Sequence, residues 1–194
     1  MPLNNGKAWL LALYSALNNF MFFGFVSWIA PMFQEHGMGE TAAGAVLASF
    51  TVAFMVGNPL AALLTKSDDR RITIAFFAAL AVIGSLAEAA SSGLLPFFFV
   101  PLIAFGVGGT FTLTMILPLD NARNARDANS WTGFVMGIGY LAGSFGPLSI
   151  GLLRDTTGSF AIPAWLLASV ALLTLFLSPF LQPRHHRTAR RKSA

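Results

Sequence analysis

The feature that most constrains this sequence is a series of long stretches without charged residues, separated by short charged segments. The stretch 41–65 is typical, because it carries no charge and ends at the charged segment 66–71. A helix of about 20 apolar residues crosses the hydrocarbon core of a bilayer. Charged residues make up 10% of the chain, against about 25% in a soluble domain, so a soluble globular fold is excluded.

Six stretches of this kind predict six membrane-spanning helices. A β-barrel is excluded, since its strands need about ten residues of alternating polarity, whereas these stretches are apolar on every side. A helix also pairs its backbone groups internally, as hydrocarbon requires. The expected fold class is an all-α membrane protein. Its predicted parts are an N-terminal segment 1–7, a membrane domain 8–182 with helices near 8–33, 41–65, 72–91, 95–118, 131–153 and 160–181, and a basic tail 183–194.

Lys and Arg are distributed unequally between the two ends of these helices. Eleven of the twelve lie at the end shared by both termini, which includes a polar loop predicted at 120–130. Arg154, in a short turn predicted at 154–159, lies at the other end. Because cytoplasmic loops are enriched in Lys and Arg, both termini are predicted to be cytoplasmic, in an inner or plasma membrane protein. The net charge of +4 then indicates contact with anionic lipid rather than with nucleic acid.

An internal repeat is visible at the ends of two predicted helices. The segment 59–66 (PLAALLTK) is similar to 147–154 (PLSIGLLR), at an offset of 88 residues, or three helices. The first copy ends at one membrane surface and the second at the other. This pattern predicts a 3+3 inverted repeat, as found inside each half of many transporters. The alternative is a coincidence of helix-end chemistry.

Several segments resemble the major facilitator superfamily. Asp69-Arg70-Arg71 resembles a degenerate form of its loop signature Gly-x-x-x-Asp-Arg-x-Gly-Arg-Arg, without the two glycines. The segments 8–20 (AWLLALYSALNNF), 137–147 (GIGYLAGSFGP) and 151–159 (GLLRDTTGS) are similar to the C-terminal half of the cyanate and 2-nitroimidazole permease family. The resemblance extends over about 7–180. Since such permeases have twelve spans, it implies one half of a major facilitator fold.

The resemblance implies a permease, not an enzyme, that moves a small solute by alternating access. The solute expected is a cyanate-like anion or a small polar organic compound. The implied partners are membrane lipid and either a separate second half or a second copy of this chain. The alternatives are an inactive truncated remnant and a membrane assembly subunit that transports nothing.

Three polar residues of the first predicted helix are candidates for solute binding. Asn18 and Asn19 lie about eleven residues into that helix, or about 16 Å deep at 1.5 Å per residue. Unpaired polar groups are costly there, so each is expected to face protein or a water-filled cavity. They either hydrogen-bond the solute or join helices to one another. Tyr14, one turn earlier, is a further candidate or a packing residue.

The fourth predicted helix carries Gly106, Gly108 and Gly109 in one short stretch. Glycine weakens a helix, so this stretch either flexes during alternating access or packs closely on a neighbouring helix. Thr110 and Thr112 follow it and are candidates for reaching into the cavity.

The fifth predicted helix has small residues at a spacing of four. The pairs Gly133/Gly137 and Gly139/Gly143 predict close contact with a neighbouring helix. Tyr140 and Ser144 are also four apart, near mid-depth. They are the cavity candidates of this helix.

Charged residues offer few further candidates. Asp69, Arg70 and Arg71 are expected to brace the cytoplasmic ends of neighbouring helices, unless the segment is merely solvated. Glu88 is interpreted as a carboxylate at the outer interface rather than a proton-coupling group. With no Lys or Arg expected inside the spans, the countercharge for an anionic solute must come from a second half or from helix dipoles.

Enzymatic and metal-dependent functions are disfavoured. The sequence has no cysteine, and its three histidines lie in predicted loops or the tail. The segment 142–146 resembles a nucleophile elbow but lies inside a predicted span without a base. No cofactor or metal ligand set is expected.

Overall fold

The computed structural model describes residues 2–65, 70–90 and 95–181. These residues form helices and short connections, without a strand among them. Six spans are long and apolar enough to cross a membrane, with α5 and α6 sharing one of them, so the prediction of six is confirmed. The helices are α1 (Gly6–Glu35), α2 (Glu40–Leu64), α3 (Arg71–Ala90), α4 (Pro96–Asn121), α5 (Ala125–Gly143), α6 (Phe145–Thr157) and α7 (Ala161–Leu177), followed by a 3-10 turn at Ser178–Leu181.

The loop predicted at 120–130 is wrong over most of its length. The helix α4 continues to Asn121, and α5 already begins at Ala125. Asn124 caps α5, because its side chain accepts a hydrogen bond from the Asp127 backbone nitrogen at 2.9 Å. The Asp127 carboxylate accepts one in return from the Arg123 backbone nitrogen at 3.1 Å. The polar residues that suggested a loop therefore start a helix, in the manner of a capping box.

The predicted turn at 154–159 is also mostly helical. The helix α6 continues through Arg154 to Thr157 and ends at Gly158, whose φ is +73°. Glycine adopts this left-handed conformation at little cost, which makes it a common helix terminator. The Gly158 nitrogen donates to the Arg154 carbonyl at 2.8 Å.

The fifth span is interrupted at Ser144 rather than continuous from 131 to 153. Pro147 lies one turn after Gly143, and its ring lacks the N–H that would pair with the Gly143 carbonyl, so it contributes to the interruption. Beyond the break, the Trp28 indole of α1 donates to the Pro147 carbonyl at 2.9 Å. The corresponding Pro59 lies inside an unbroken α2, so the two copies of the repeat differ here.

The helices form two layers that follow the predicted inverted repeat. In each triple, the first helix packs along the second helix of the other triple, so that α1 lies against α5 and α4 against α2. The third helices, α3 and α7, pack on each other, with α3 also on α4 and α7 on α1. We call α2, α4, α1 and α5 the front layer, and α3 and α7 the back layer.

Glycines set very close contacts between helices of the front layer and between α1 and α6. A Cβ on Gly57 would lie 2.5 Å from the Phe105 carbonyl oxygen, so α2 and α4 touch backbone to backbone. A Cβ on Gly146 would lie 2.5 Å from the Phe20 carbonyl oxygen at the contact with α1. Residues larger than glycine would force these helices apart.

The predicted glycine pairs of the fifth span behave differently from each other. Gly139 and Gly143 face Ser15 and Asn19 of α1, so that prediction is confirmed. A Cβ added at residue 133 or 137, the other pair, would meet no atom of the described residues within 4 Å, so among those residues the prediction of close contact is wrong. Spacing alone does not say which side of a helix meets its neighbour.

Ionic and polar contacts tie together the helix ends at each surface of the helical domain. At one end, Arg70 binds Asp120 through two hydrogen bonds, of 2.5 Å and 3.2 Å. The Lys7 ammonium donates to the Phe180 carbonyl at 2.9 Å at this same end. At the opposite end, Arg154 pairs with Glu35 at 3.3 Å. The basic residues that the structure describes therefore lie at the helix ends, as the charge pattern predicts.

Candidate functional site

Asn18 and Thr110 join α1 to α4 near the middle of the protein. The Thr110 hydroxyl donates to Asn18 Oδ1 at 2.6 Å. The two residues are only 2% and 3% exposed. Asn18 Nδ2 has no hydrogen-bond partner among the described residues. The pair is therefore a buried helix–helix contact in which one polar atom, Asn18 Nδ2, is left unpaired among the described residues.

Asn19 faces a different neighbour from Asn18. Its Nδ2 donates to the Ser15 carbonyl at 2.9 Å, and its side chain lies against Gly139 and Gly143 of α5. Successive residues on a helix point about 100° apart, so the two asparagines contact different neighbours, α4 and α5. Their contacts match the helix-joining alternative, and solute binding by either one stays a prediction.

Tyr14 points away from the front face. It is completely buried, and its hydroxyl lies beside Ser178, just after α7. The structure therefore places Tyr14 toward the back layer rather than beside Asn18. Solute contact by Tyr14 stays a prediction that these contacts do not favour.

Thr112 forms a second polar contact, between α4 and α2. Its hydroxyl donates to Asn58 Oδ1 at 2.6 Å, and Asn58 Nδ2 donates to the Phe54 carbonyl at 2.8 Å. Both side chains are only partly buried. Asn58 was not among the predicted site residues, although an asparagine in an otherwise apolar stretch is a usable signal.

Aromatic side chains converge on the front face beside these polar contacts. The Phe22 and Phe54 rings lie 4.5 Å apart, Phe54 and Phe111 lie 5.6 Å apart, and Phe23 and Tyr140 lie 6.2 Å apart. All four front helices contribute a ring, and the back helices contribute none to this set. We call these five residues, which lie at mid-depth and not at a membrane–water interface, the aromatic belt. Sequence reasoning found only Tyr140, because nothing distinguishes four phenylalanines from the other fifteen of the chain.

Ser144 lies on the same open side of the fifth span as Tyr140, at the helix interruption. It is exposed, and its hydroxyl donates to the Leu141 carbonyl at 2.7 Å. Both residues are therefore accessible from the front face, as the cavity prediction requires. Their contact with a solute stays a prediction.

The three glycines of α4 contact helices on two sides. A Cβ on Gly106 would lie 2.5 Å from the Phe77 carbonyl oxygen of α3, and Gly109 faces the Phe77 ring. Gly108 faces the backbone of Phe54 on α2. These are the close contacts of the packing alternative. A bending role in alternating access stays a prediction, and α4 is a continuous helix through this stretch.

Charged side chains lie at the helix ends of the described part of the chain. Arg70 reaches Asp120 from the start of α3, and an Arg71 nitrogen lies 3.5 Å from the Pro179 carbonyl oxygen. Glu88 is buried near the end of α3. Asp69, the remaining predicted bracing residue, lies outside the described residues.

Comparison with known proteins identifies the family of this architecture. The fold is a polytopic helical membrane domain built on an inverted repeat, with polar and aromatic side chains at mid-depth. A family model of the Major Facilitator Superfamily matches residues 8–194. The chain therefore belongs to the major facilitator superfamily, and it is a multi-pass membrane protein.

Named relatives narrow the resemblance. The chain is 25% identical to the cyanate transport protein CynX of Escherichia coli (strain K12), over 92% of this chain and 47% of that protein. It is 27% identical to the 2-nitroimidazole transporter of the same organism, over 89% and 43%. It is 26% identical to the uncharacterized transporter YycB of Bacillus subtilis (strain 168), over 86% and 42%. The predicted resemblance is confirmed, and the chain spans about half the length of the curated relatives it matches.

Proposed function

We propose that this chain is one half of a transporter that moves a small solute across the membrane by alternating access. The observation that carries the proposal is the set of polar and aromatic residues at mid-depth on the front layer of an inverted repeat. Transporters with such repeats bind their solutes near the bilayer midplane, where the repeats meet. The names of the relatives support solutes the size of cyanate or 2-nitroimidazole.

A second six-helix unit is proposed to cover the front layer. The least buried spans are the second and the fifth, which flank this layer. On α5, Gly133 and Gly137 are spaced as a small-x-x-x-small pair, and none of the described residues packs against them. Such pairs let another helix approach closely. Either a separate half or a second copy of this chain would supply that helix.

The proposed solute site combines buried groups between the helices with accessible groups on the open side of the front layer. Asn18 and Thr110 would face the solute from the α1–α4 contact, because Asn18 Nδ2 can donate one more hydrogen bond. Thr112, Tyr140 and Ser144 would face it from the accessible side of the front layer. The remaining candidates, Asn19 and Tyr14, would support the position of α1.

The proposed orientation places both termini in the cytoplasm of an inner-membrane protein. The end that holds Lys7 and Arg70 also holds Arg71, Arg123 and Arg126, whereas Arg154 lies at the opposite end. This is the distribution that the positive-inside rule predicts for a cytoplasmic surface. There, Arg70 and Arg71 would brace α3 against α4 and the end of α7.

Uptake measurements test the proposal. Cells that express the chain, alone or with a second six-helix half, are expected to accumulate labelled cyanate or 2-nitroimidazole. Loss of one neutral hydrogen bond in Asn18→Ala is expected to raise KM about two- to tenfold. Asn121→Ala is the matched control, since Asn121 is a buried asparagine at the end of α4. Uptake equal to that of cells without the protein, with either arrangement, would favour the two alternatives, an inactive truncated remnant and a non-transporting assembly subunit.

Crosslinking distinguishes the two kinds of second half. The chain has no cysteine, so a single engineered one reports only on its own position. Disulfide-linked dimers from Gly137→Cys, but not from Phe176→Cys on the back layer, would support a second copy of this chain. A strictly monomeric product from both variants would contradict the dimer.

A further inference from the structure

We propose that the aromatic belt recognises a neutral, planar heteroaromatic solute and selects it against small inorganic anions. The inference rests on the proposed transport function, whose site it assigns to a solute class. It concerns the belt residues Phe22, Phe23, Phe54, Phe111 and Tyr140, four of which were not predicted as site residues.

The position of the belt is that of a solute site. Each of its residues lies within three residues of the middle of its helix or span. At 1.5 Å per residue, the rings are therefore attached within about 5 Å of mid-depth. The belt crosses all four helices of the front layer, which no helix of the described residues covers on its open side.

The rings of the belt also remain accessible. Tyr140 is 39% exposed, and the four phenylalanines are only partly buried. By contrast, Phe25 and Phe50, which lie in the core beneath them, are 1% and 0% exposed. The belt therefore presents ring surface that the described part of the chain does not cover.

The electrostatics of this surface favour a neutral planar ring. An aromatic face carries partial negative charge and an aromatic edge partial positive charge, so another ring stacks on it or meets it edge to face. The same negative face repels an anion. Among the described residues, Lys and Arg lie at the helix ends, at least twelve residues from the belt along any one span, or about 18 Å. No described cation is placed to offset that repulsion.

Asn58 and Thr112 place hydrogen-bonding groups beside the belt, where the polar edge of such a solute would lie. Asn58 lies one turn after Phe54 on α2, and Thr112 follows Phe111 on α4. An asparagine amide nitrogen carries two hydrogens, and one of those of Asn58 is donated to the Phe54 carbonyl. The other is available to a ring nitrogen or a nitro oxygen of a solute stacked on the belt.

Binding of 2-nitroimidazole in lipid nanodiscs tests the inference, with the whole chain reconstituted alone and together with a second six-helix half. Saturable binding is expected, with cyanate at least tenfold weaker as a competitor. Tyr140→Leu and Phe111→Leu each remove one stacking ring and are expected to weaken binding about two- to tenfold. Tyr140→Phe keeps the ring and is expected to lose less than Tyr140→Leu. Phe176→Leu, an equivalent change on the exposed side of α7, is the control expected to bind as the unchanged protein.

The outcomes separate this inference from the proposed function. Cyanate that binds as tightly as 2-nitroimidazole, or belt variants that bind like the control while remaining folded, would overturn the inference. Uptake of cyanate without any binding of 2-nitroimidazole would overturn it and leave the transport function standing. Saturable, belt-dependent binding without uptake under either expression arrangement would support the belt and count against transport. Absence of both would overturn the two proposals together.

Discussion

We predict that the two residues of the Asn18–Thr110 contact differ in how much their substitution lowers the free energy of unfolding. In Thr110→Val, Asn18 Oδ1 loses its donor, and Asn18 Nδ2 already has no partner among the described residues. The whole amide is then buried without a hydrogen bond. Hydrogen bonds between membrane helices average about 0.6 kcal/mol and reach about 1.7 kcal/mol. Because nothing replaces this one, we expect a loss near the upper value, about 1.5 kcal/mol.

The reverse substitution is expected to cost less. In Asn18→Ala, the Thr110 hydroxyl keeps its contacts at 3.0 Å with the Gly106 and Val107 carbonyl oxygens. The hydroxyl is therefore still paired, so the cost is the small cavity alone, about 0.5 kcal/mol. The double variant is then expected to be about as stable as Asn18→Ala. The coupling energy of the double-mutant cycle, the sum of the two single losses minus the double loss, is then about 1.5 kcal/mol.

Reversible unfolding in mixed detergent micelles, followed by circular dichroism, measures the four free energies of the cycle. A double variant whose loss equals the sum of the two single losses would refute the reasoning, as would Asn18→Ala costing more than Thr110→Val. The cycle also separates the two roles predicted for Asn18. A helix-joining residue changes the free energy of unfolding at unchanged KM, whereas a solute ligand changes KM as well.

Two further substitutions test the helix contacts of α4. Gly108→Val places methyl groups against the backbone of Phe54, and we expect it to abolish the folded protein in membranes, as judged by protease resistance. Gly44→Val on α2, where none of the described atoms lies within 4 Å, is its control, and a folded Gly108→Val protein would contradict the close contact. Arg70→Lys removes the two-pronged contact with Asp120 and is expected to lower the free energy of unfolding by about 1 kcal/mol. The loss should shrink in high salt, and an equal loss at all salt concentrations would argue against an ionic origin.

The sequence specified the architecture well because its physical causes are local. Span length and charge fix the number of helices, and the repeat 59–66/147–154 fixes which helices correspond. The break at Ser144 could not be predicted from Pro147 alone, because the corresponding Pro59 lies inside an unbroken α2. The loop at 120–130 was wrong because the same polar residues serve either a loop or a helix start, and the Asn124 cap decides between them.

The candidate site was harder to predict from the sequence, because the packing of the helices determines which side chains come together. Asn18 and Asn19 are adjacent, so helix geometry predicts that their side chains point about 100° apart. Which neighbour each one meets depends on how α4 and α5 pack on α1. The aromatic belt is a stronger case, since phenylalanines are distributed along most of the chain and only the front face singles out five rings.

The two chemistries at mid-depth occupy different places in the front layer, with the polar residues between its helices and the rings on its open side. Asn18, Asn19 and Thr110 are buried between α1, α4 and α5. At mid-depth, an unpaired polar group that faced hydrocarbon would be costly. The open side at the same depth carries rings instead, which are compatible with lipid, with a second half and with a solute. In the proposed transporter, the same rings would contact the solute once the proposed second half replaces the lipid at the front layer.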